Sequence, residues 1–292
     1  MITARALGAQ FAIAARLAGA VLAVDVAVCA LVVAAAATLF RRTLRPPERF
    51  ARLSEPDDRL RRFTSDAGHE LRTPLTVIIG YAQLLRLGVL ADRDACEHAL
   101  AEVEREARRL TALADHLLLL ARIDEGHPDR AGPVELDALC REVVEAARAA
   151  HPGHPVSYRC DGEAPVVPGV EPWLREAVSC LLANVGRHTP AGTRAEVVLR
   201  AEGADAVLDV VDDGPGIAEA DHLRVFERFF RCDEARRRPP EERGAGLGLS
   251  IVHSVVTACA GTVSVRPGER GTWIRVRLPA ERREGSADRT LK

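Results

Sequence analysis

The chain has 292 residues, 47% apolar and 28% charged, which is foldable material for one large or two ordinary domains and excludes a wholly disordered chain. A net charge of -2 supplies no global basic field, so direct nucleic-acid binding is not expected. Lys292 is the sole lysine, which rules out an internal G-K-[ST] phosphate loop, and seven cysteines lie without zinc-like or disulfide-like spacing at Cys29, Cys96, Cys140, Cys160, Cys180, Cys232 and Cys259.

Residues 1–16 form a short mixed segment. From Leu17 to Phe40 runs LAGAVLAVDVAVCALVVAAAATLF, with Asp25 as its single charge. That length and apolarity predict one transmembrane helix. Arg41, Arg42 and Arg45 follow at once, and the positive-inside rule places everything downstream in the cytoplasm. Residues 41–58 are charged and carry Pro46, Pro47 and Pro56, so they read as a juxtamembrane linker entering a helix near Pro56.

Two helices are predicted over residues 59–124. In the first, Phe63, Ala67, Leu71, Leu75, Ile78 and Ala82 recur at spacings of three and four, which is one apolar stripe. His69 and Glu70 fall off it and should face solvent, and Pro74 should bend the helix just beyond them. After a turn around Gly88 to Asp94, a second stripe contains Val103, Ala107, Leu110, Ala114, Leu117 and Ala121. Glu102, Glu104, Arg105, Glu106, Arg108 and Arg109 are assigned to its other faces. Such a hairpin cannot bury both stripes alone, so a dimeric four-helix bundle is expected.

The run FTSDAGHELRTPLT resembles the H-box of sensor histidine kinases of two-component systems, and the hairpin resembles their dimerisation and phosphotransfer domain. The resemblance implies His69 as phosphoacceptor, Glu70 as its acid/base neighbour and Thr73 as the residue orienting water during hydrolysis. A neutral imidazole is a competent nucleophile near neutral pH, and an adjacent carboxylate can take its proton.

Residues 125–134 form a Gly- and Pro-bearing linker, after which helical runs at 137–150 and 172–185 alternate with the strand-like RAEVVLRAE, AVLDVVDDG, GTVSVRP and TWIRVRLP. This predicts an α/β sandwich over residues 135–281, with residues 282–292 as a tail. The ordered stretches EAVSCLLANVGRHTP, DVVDDGPGI, VFERFFRCD and RGAGLGLSIV resemble the N, G1, F and G2 boxes of the GHKL (Bergerat) ATP-binding fold. By that resemblance Asn184 coordinates Mg2+, Asp212 accepts a hydrogen bond from adenine, and Gly214 and Gly216 let the backbone approach nucleotide. It likewise assigns Gly244, Gly246 and Gly248 to the phosphates at a helix start, with Arg187, His188, Phe226 and Leu249 as further nucleotide-binding positions. Phe226, Phe229 and Phe230 read equally as lid anchors or as core, and the charged run between the F and G2 boxes reads as a lid.

The sequence departs from the family pattern at Cys180, where a second asparagine is usual, at Cys259-Ala260 in place of His-Gly, and at Gly68 before the histidine. Gly186 inside a helix costs about 1 kcal/mol relative to alanine. The apolar run from Leu17 to Phe40 and the arginines behind it imply a single-pass plasma-membrane protein, and the resemblance implies a homodimer that uses ATP and Mg2+ and passes phosphate from His69 to a separate response regulator. A nucleotide-poor dimeric membrane scaffold and a plain GHKL ATPase are the alternatives.

Overall fold

The computed structural model describes residues 54–90, 92–126, 131–232, 244–267 and 271–280. The chain divides into two compact units, Met1–Leu60 and Arg61–Lys292, and only the start of one helix is described in the first. The expected membrane span, the juxtamembrane linker before Ser54 and the C-terminal tail lie outside the described residues, as does most of the expected lid. Among the described residues no helix is long and apolar enough to cross a membrane.

Helix α1, Ser54–Arg86, and helix α2, Arg93–Asp124, form the hairpin. Gly88 ends α1 in a left-handed conformation with φ of 66°, and the Gly88 and Val89 amides donate to the Leu85 and Leu84 carbonyls at 3.2 and 3.3 Å. This satisfies two of the carbonyls that a helix end orphans. Asp92 then caps α2, its Oδ1 accepting the Ala95 amide at 2.6 Å.

On α2 the buried column is Ala99, Glu106, Leu113 and Leu120, a heptad repeat that differs from the expected stripe. Val103, Leu110, Ala114 and Leu117 are half-buried in the single chain, and Ala107 and Ala121 are exposed. Glu106, expected to face outward, is 3% exposed. Its Oε2 is buried without a hydrogen bond, while Arg105 and Arg109 stand 3.7 and 3.6 Å from the carboxylate. Helical periodicity selects a face, but the face that is buried depends on which neighbour covers it.

Past the hairpin, β1, Gly132–Glu135, pairs antiparallel with β3, Val166–Gly169. The main sheet comprises β2, Val156–Asp161, β4, Ala195–Glu202, β5, Asp205–Asp212, β6, Thr262–Arg266, and β7, Trp273–Pro279, in the order β2-β4-β5-β7-β6. Only the β2–β4 pair is parallel, as the crossover through α4 requires. Helices α3, Leu136–Ala150, α4, Glu171–His188, and α5, Gly248–Ala258, pack on the sheet through one apolar cluster, which Leu113 and Leu120 of the hairpin join. Strand β7 has the expected period of two: Ile274, Val276 and Leu278 are buried, and Trp273, Arg275 and Arg277 alternate with them.

The other face of the sheet is polar and centres on Asp209. Its carboxylate accepts bonds from Trp273 Nε1 at 2.8 Å, Arg275 Nε at 2.8 Å and Arg200 Nη1 at 2.6 Å. Burial pushes this carboxyl upward, but the bonds from Arg275, Trp273 and Arg200 outweigh it and hold it below the usual carboxylate range.

Candidate functional site

His69 is exposed on α1 and Glu70, beside it, is half-buried. The Thr73 hydroxyl donates to the His69 carbonyl at 3.3 Å. Pro74 is buried and lacks an amide hydrogen, so the Glu70 carbonyl one turn back loses its helical donor. The helix nevertheless runs on to Arg86.

The segment after the 3-10 turn Arg224–Phe226 lies against this part of α1. Arg231 Nη2 donates to Glu70 Oε2 at 2.6 Å, and Arg228 Nη2 donates to both carboxylate oxygens of Asp124 at 2.9 Å. The Phe63 and Phe229 rings are 5.9 Å apart, and the Arg228 guanidinium stacks 5.2 Å from the Phe63 centroid. Asp66, His69 and Glu70 on one wall and residues 227–231 on the other line an open cleft of about 360 Å3. Arg231 Nε is buried at this contact without a hydrogen-bond partner. A guanidinium on the wall of a cleft that also holds an exposed imidazole is suited to attracting an anion.

The same segment is tied to the glycine-rich stretch. The Phe229 amide donates to the Gly246 carbonyl at 2.9 Å. Phe229 itself has φ of 62°, which costs a non-glycine residue about 1–2 kcal/mol. Gly246 has φ of 70°, and a Cβ there would stand 2.9 Å from the Phe229 carbonyl carbon and 2.9 Å from the Phe230 oxygen. Any larger residue would push the aromatic segment off the glycine turn. Of the three phenylalanines, Phe226 packs 6.1 Å from His253 on α5, Phe230 stacks on Arg224 at 4.5 Å, and Phe229 faces the hairpin. Phe229 also packs against the apolar core of the nucleotide domain.

Asp212 ends β5 with 5% exposure. Its Oδ1 accepts the Gly214 amide at 2.9 Å and the Thr272 amide at 3.2 Å, so among the described residues its hydrogen bonds all end on that oxygen. A Cβ on Gly214 would stand 2.8 Å from that oxygen and 2.8 Å from Thr189 Cγ2, which explains glycine there. Gly216 approaches Gly271, whose carbonyl a Cβ would meet at 2.9 Å.

Asn184 is half-buried on α4, and among the described residues its side-chain amide makes no hydrogen bond. An amide oxygen without another partner fits a hard cation such as Mg2+, which takes few protein ligands and keeps water and phosphate oxygens. Gly244 lies within 3.9 Å of His188 Nε2 and Gly248 within 3.8 Å of Cys180 Cβ, measured from the Cβ each glycine lacks, so the α4 face and the glycine turn adjoin. Gly248 opens α5, whose N-terminus has no side-chain cap and so leaves amides for an anion. Leu249 is half-buried against the core, and Arg187 is exposed. Gly186 costs helix propensity for a packing reason: a Cβ would stand 2.6 Å from the His151 ring.

Cys180 turns toward Glu176 and His116. His116 Nε2 is 2.9 Å from Glu176 Oε1, and the Cys180 thiol donates to the same oxygen at 3.4 Å. The His116 bond holds the Glu176 carboxyl below its usual range against the opposing effect of burial. Burial and the neighbouring Glu176 charge push the Cys180 thiol well up.

Sequence reasoning did not single out Arg228, Arg231, Asp124, His116 or Glu176. Their partners are 60 to 161 positions away along the chain, so no local spacing encodes them. The signal available was the pair of arginines interleaved with the phenylalanines of VFERFFRCD.

Residues 59–126 match the His Kinase A (phospho-acceptor) domain, and residues 169–282 match the histidine kinase-, DNA gyrase B- and HSP90-like ATPase family. Among curated relatives, the probable sensor histidine kinase TcrY of Mycobacterium tuberculosis is 42% identical over 76% of this chain and 46% of its own. The sensor protein kinase PmrB of Pseudomonas aeruginosa is 35% identical over 75% of this chain and 45% of its own. The chain thus spans a little under half the length of these relatives. Full-length ShkA, solved in complex with AMPPNP, is 27% identical with a TM-score of 0.55 over 73% of this chain and 44% of ShkA. ThkA, solved in complex with the response regulator protein TrrA, has a TM-score of 0.60 at 19% identity over 78% of this chain and 65% of that one, a likeness of fold.

Proposed function

The chain belongs to the sensor histidine kinases of two-component systems, and on that premise we propose that it moves the γ-phosphoryl group of ATP to His69 and then to an aspartate of a response regulator. The observation that carries this reading is the cleft in which His69 and Glu70 face residues 227–231, a segment hydrogen-bonded through Phe229 to the glycine turn at Gly246.

In this proposal Asp212 accepts from the adenine amino group, and the amides of Gly244, Gly246 and Gly248 hold phosphate oxygens at the start of α5. Asn184 would hold Mg2+, which would neutralise phosphate charge when bound. A ring nitrogen of His69 attacks the γ-phosphorus, the bond to the ADP oxygen breaks, and Glu70 takes the imidazole proton. Arg231 orients Glu70 and sets a guanidinium charge on the wall of the cleft that the phosphoryl oxygens cross. Thr73 would orient the water that removes phosphate from His69, giving phosphatase activity.

The proposal extends to a homodimer. Leu84 and Ile79 of α1 and Leu100 and Leu118 of α2 are 38% to 51% exposed, a large apolar area for helices in water. Membrane anchoring rests on the apolar run from Leu17 to Phe40 and the arginines behind it, which would put the catalytic part in the cytoplasm. The scaffold alternative draws on Cys180, whose thiol faces Glu176 rather than offering a hard oxygen ligand.

The test incubates the full chain and a His69→Gln variant with Mg-ATP labelled at the γ-phosphate. Acid-labile, alkali-stable label on the wild type and none on the variant supports the kinase. ATP hydrolysis without label on either protein points to a plain ATPase, and failure to bind ATP points to the scaffold.

A further inference from the structure

We infer that His116, Glu176 and Cys180 form a binding site for a zinc-type divalent cation that bridges the phosphotransfer hairpin and the nucleotide domain. His116 comes from α2, and Glu176 and Cys180 stand one turn apart on the same face of α4. The candidate ligand atoms all lie within 4.8 Å of one another. They also converge: His116 Nε2 at 2.9 Å and Cys180 Sγ at 3.4 Å both point to one oxygen of Glu176.

A tetrahedral zinc site with ligands at roughly 2.0–2.3 Å separates its donor atoms by about 3.3–3.8 Å. The thiol–carboxylate distance of 3.4 Å already has that spacing, and the histidine–carboxylate pair needs to open by about half an ångström. Imidazole, thiolate and carboxylate together are a donor set for zinc rather than for Mg2+ or Ca2+, which demand oxygen. Three protein ligands leave the fourth position to water. Binding releases one proton from a neutral site: the Cys180 thiol loses it to buffer as the sulfur–metal bond forms, the His116 ring moves its own proton from Nε2, where it bonds Glu176, to Nδ1 and so frees the Nε2 lone pair, and the carboxylate binds through a lone pair it already has.

This cation position is distinct from the one offered by Asn184, a turn further along α4, because the two differ in ligand softness. It does not depend on phosphotransfer. When occupied it fastens α2 to α4 and so holds the hairpin against the nucleotide domain in the observed arrangement. No sequence spacing reveals it, because its ligands come from helices 60 residues apart.

The test titrates Co2+, as a spectroscopic stand-in for zinc, into the full metal-free chain. One equivalent should produce a sulfur-to-cobalt charge-transfer band and the visible bands of a tetrahedral ion, and Zn2+ should displace them. Cys180→Ser should abolish the charge-transfer band while Cys259→Ser retains it. His116→Ala and Glu176→Gln, each checked for wild-type circular dichroism, should weaken binding roughly tenfold or more. A wild type without the band, a band that survives Cys180→Ser, or unchanged affinity in folded His116→Ala would each overturn the site and leave an ordinary ion pair.

Discussion

The hairpin and the nucleotide domain solve the burial problem in opposite ways. The α/β domain closes its own core, with Leu136, Leu181, Leu199, Leu247 and Ile251 all under 3% exposed. The hairpin buries one heptad column of α2 and leaves Ile79, Leu84, Leu100 and Leu118 substantially exposed. One region holds most of its core within a single chain; the other leaves apolar side chains uncovered, as the proposed homodimer would require. The hairpin also contributes Leu113 and Leu120 to the domain's core, so within one chain its lower end is fixed by the partner domain rather than by its own two helices.

The sharpest way to break this comparison is at the shared core. Leu120→Ala should destabilise the chain by about 2–5 kcal/mol in urea unfolding, since the cavity sits where hairpin and sheet domain share apolar contacts. A loss under 1 kcal/mol would mean that the hairpin end is not held there. Arg231→Met, at the polar part of the same contact, should slow formation of phosphohistidine roughly a hundredfold while ATP affinity holds. Equal losses in both would return Arg231 to a packing role.

A smaller effect belongs to the nucleotide domain alone. The folded-state pKa of Asp209 is depressed, so its stabilisation is fully present above the unfolded carboxylate value of about 3.9 and is lost as pH falls through the lower folded value. Asp209→Asn should flatten that acid limb of the stability profile. An unchanged limb would place the proton uptake elsewhere. The smallest effect on the folded chain is expected from Leu84→Glu, within about 0.5 kcal/mol, because the side chain is 38% exposed. The same variant should abolish the dimer in sedimentation, and a dimer that persists would remove this face from the interface.

Much of the nucleotide domain was legible because strand alternation and glycine turns are local. RAEVVLRAE, AVLDVVDDG, GTVSVRP and TWIRVRLP each lie on an observed strand. Strands β1, β2 and β3 were not read; β1 and β3 are Pro-bearing four-residue segments that resemble loops, and β2 follows the turn-like run HPGHP. Glu106 was assigned outward on polarity, and only the tertiary packing of the hairpin buries it. Gly186 read as a propensity cost until the His151 ring supplied its reason. At the candidate site, His69, Glu70 and the glycine boxes were readable from runs of residues. The contacts that gather them, Arg231 with Glu70 and Phe229 with Phe63, join segments that no spacing rule connects.

The most direct measurement is site mapping by mass spectrometry at neutral to alkaline pH after the full chain meets Mg-ATP, reading the tryptic peptide Phe63–Arg72. Phosphate on His69, lost on brief acid treatment, is the expected result. An unmodified peptide while ATP is turned over, or acid-stable phosphate on Thr64 or Ser65, would contradict the account.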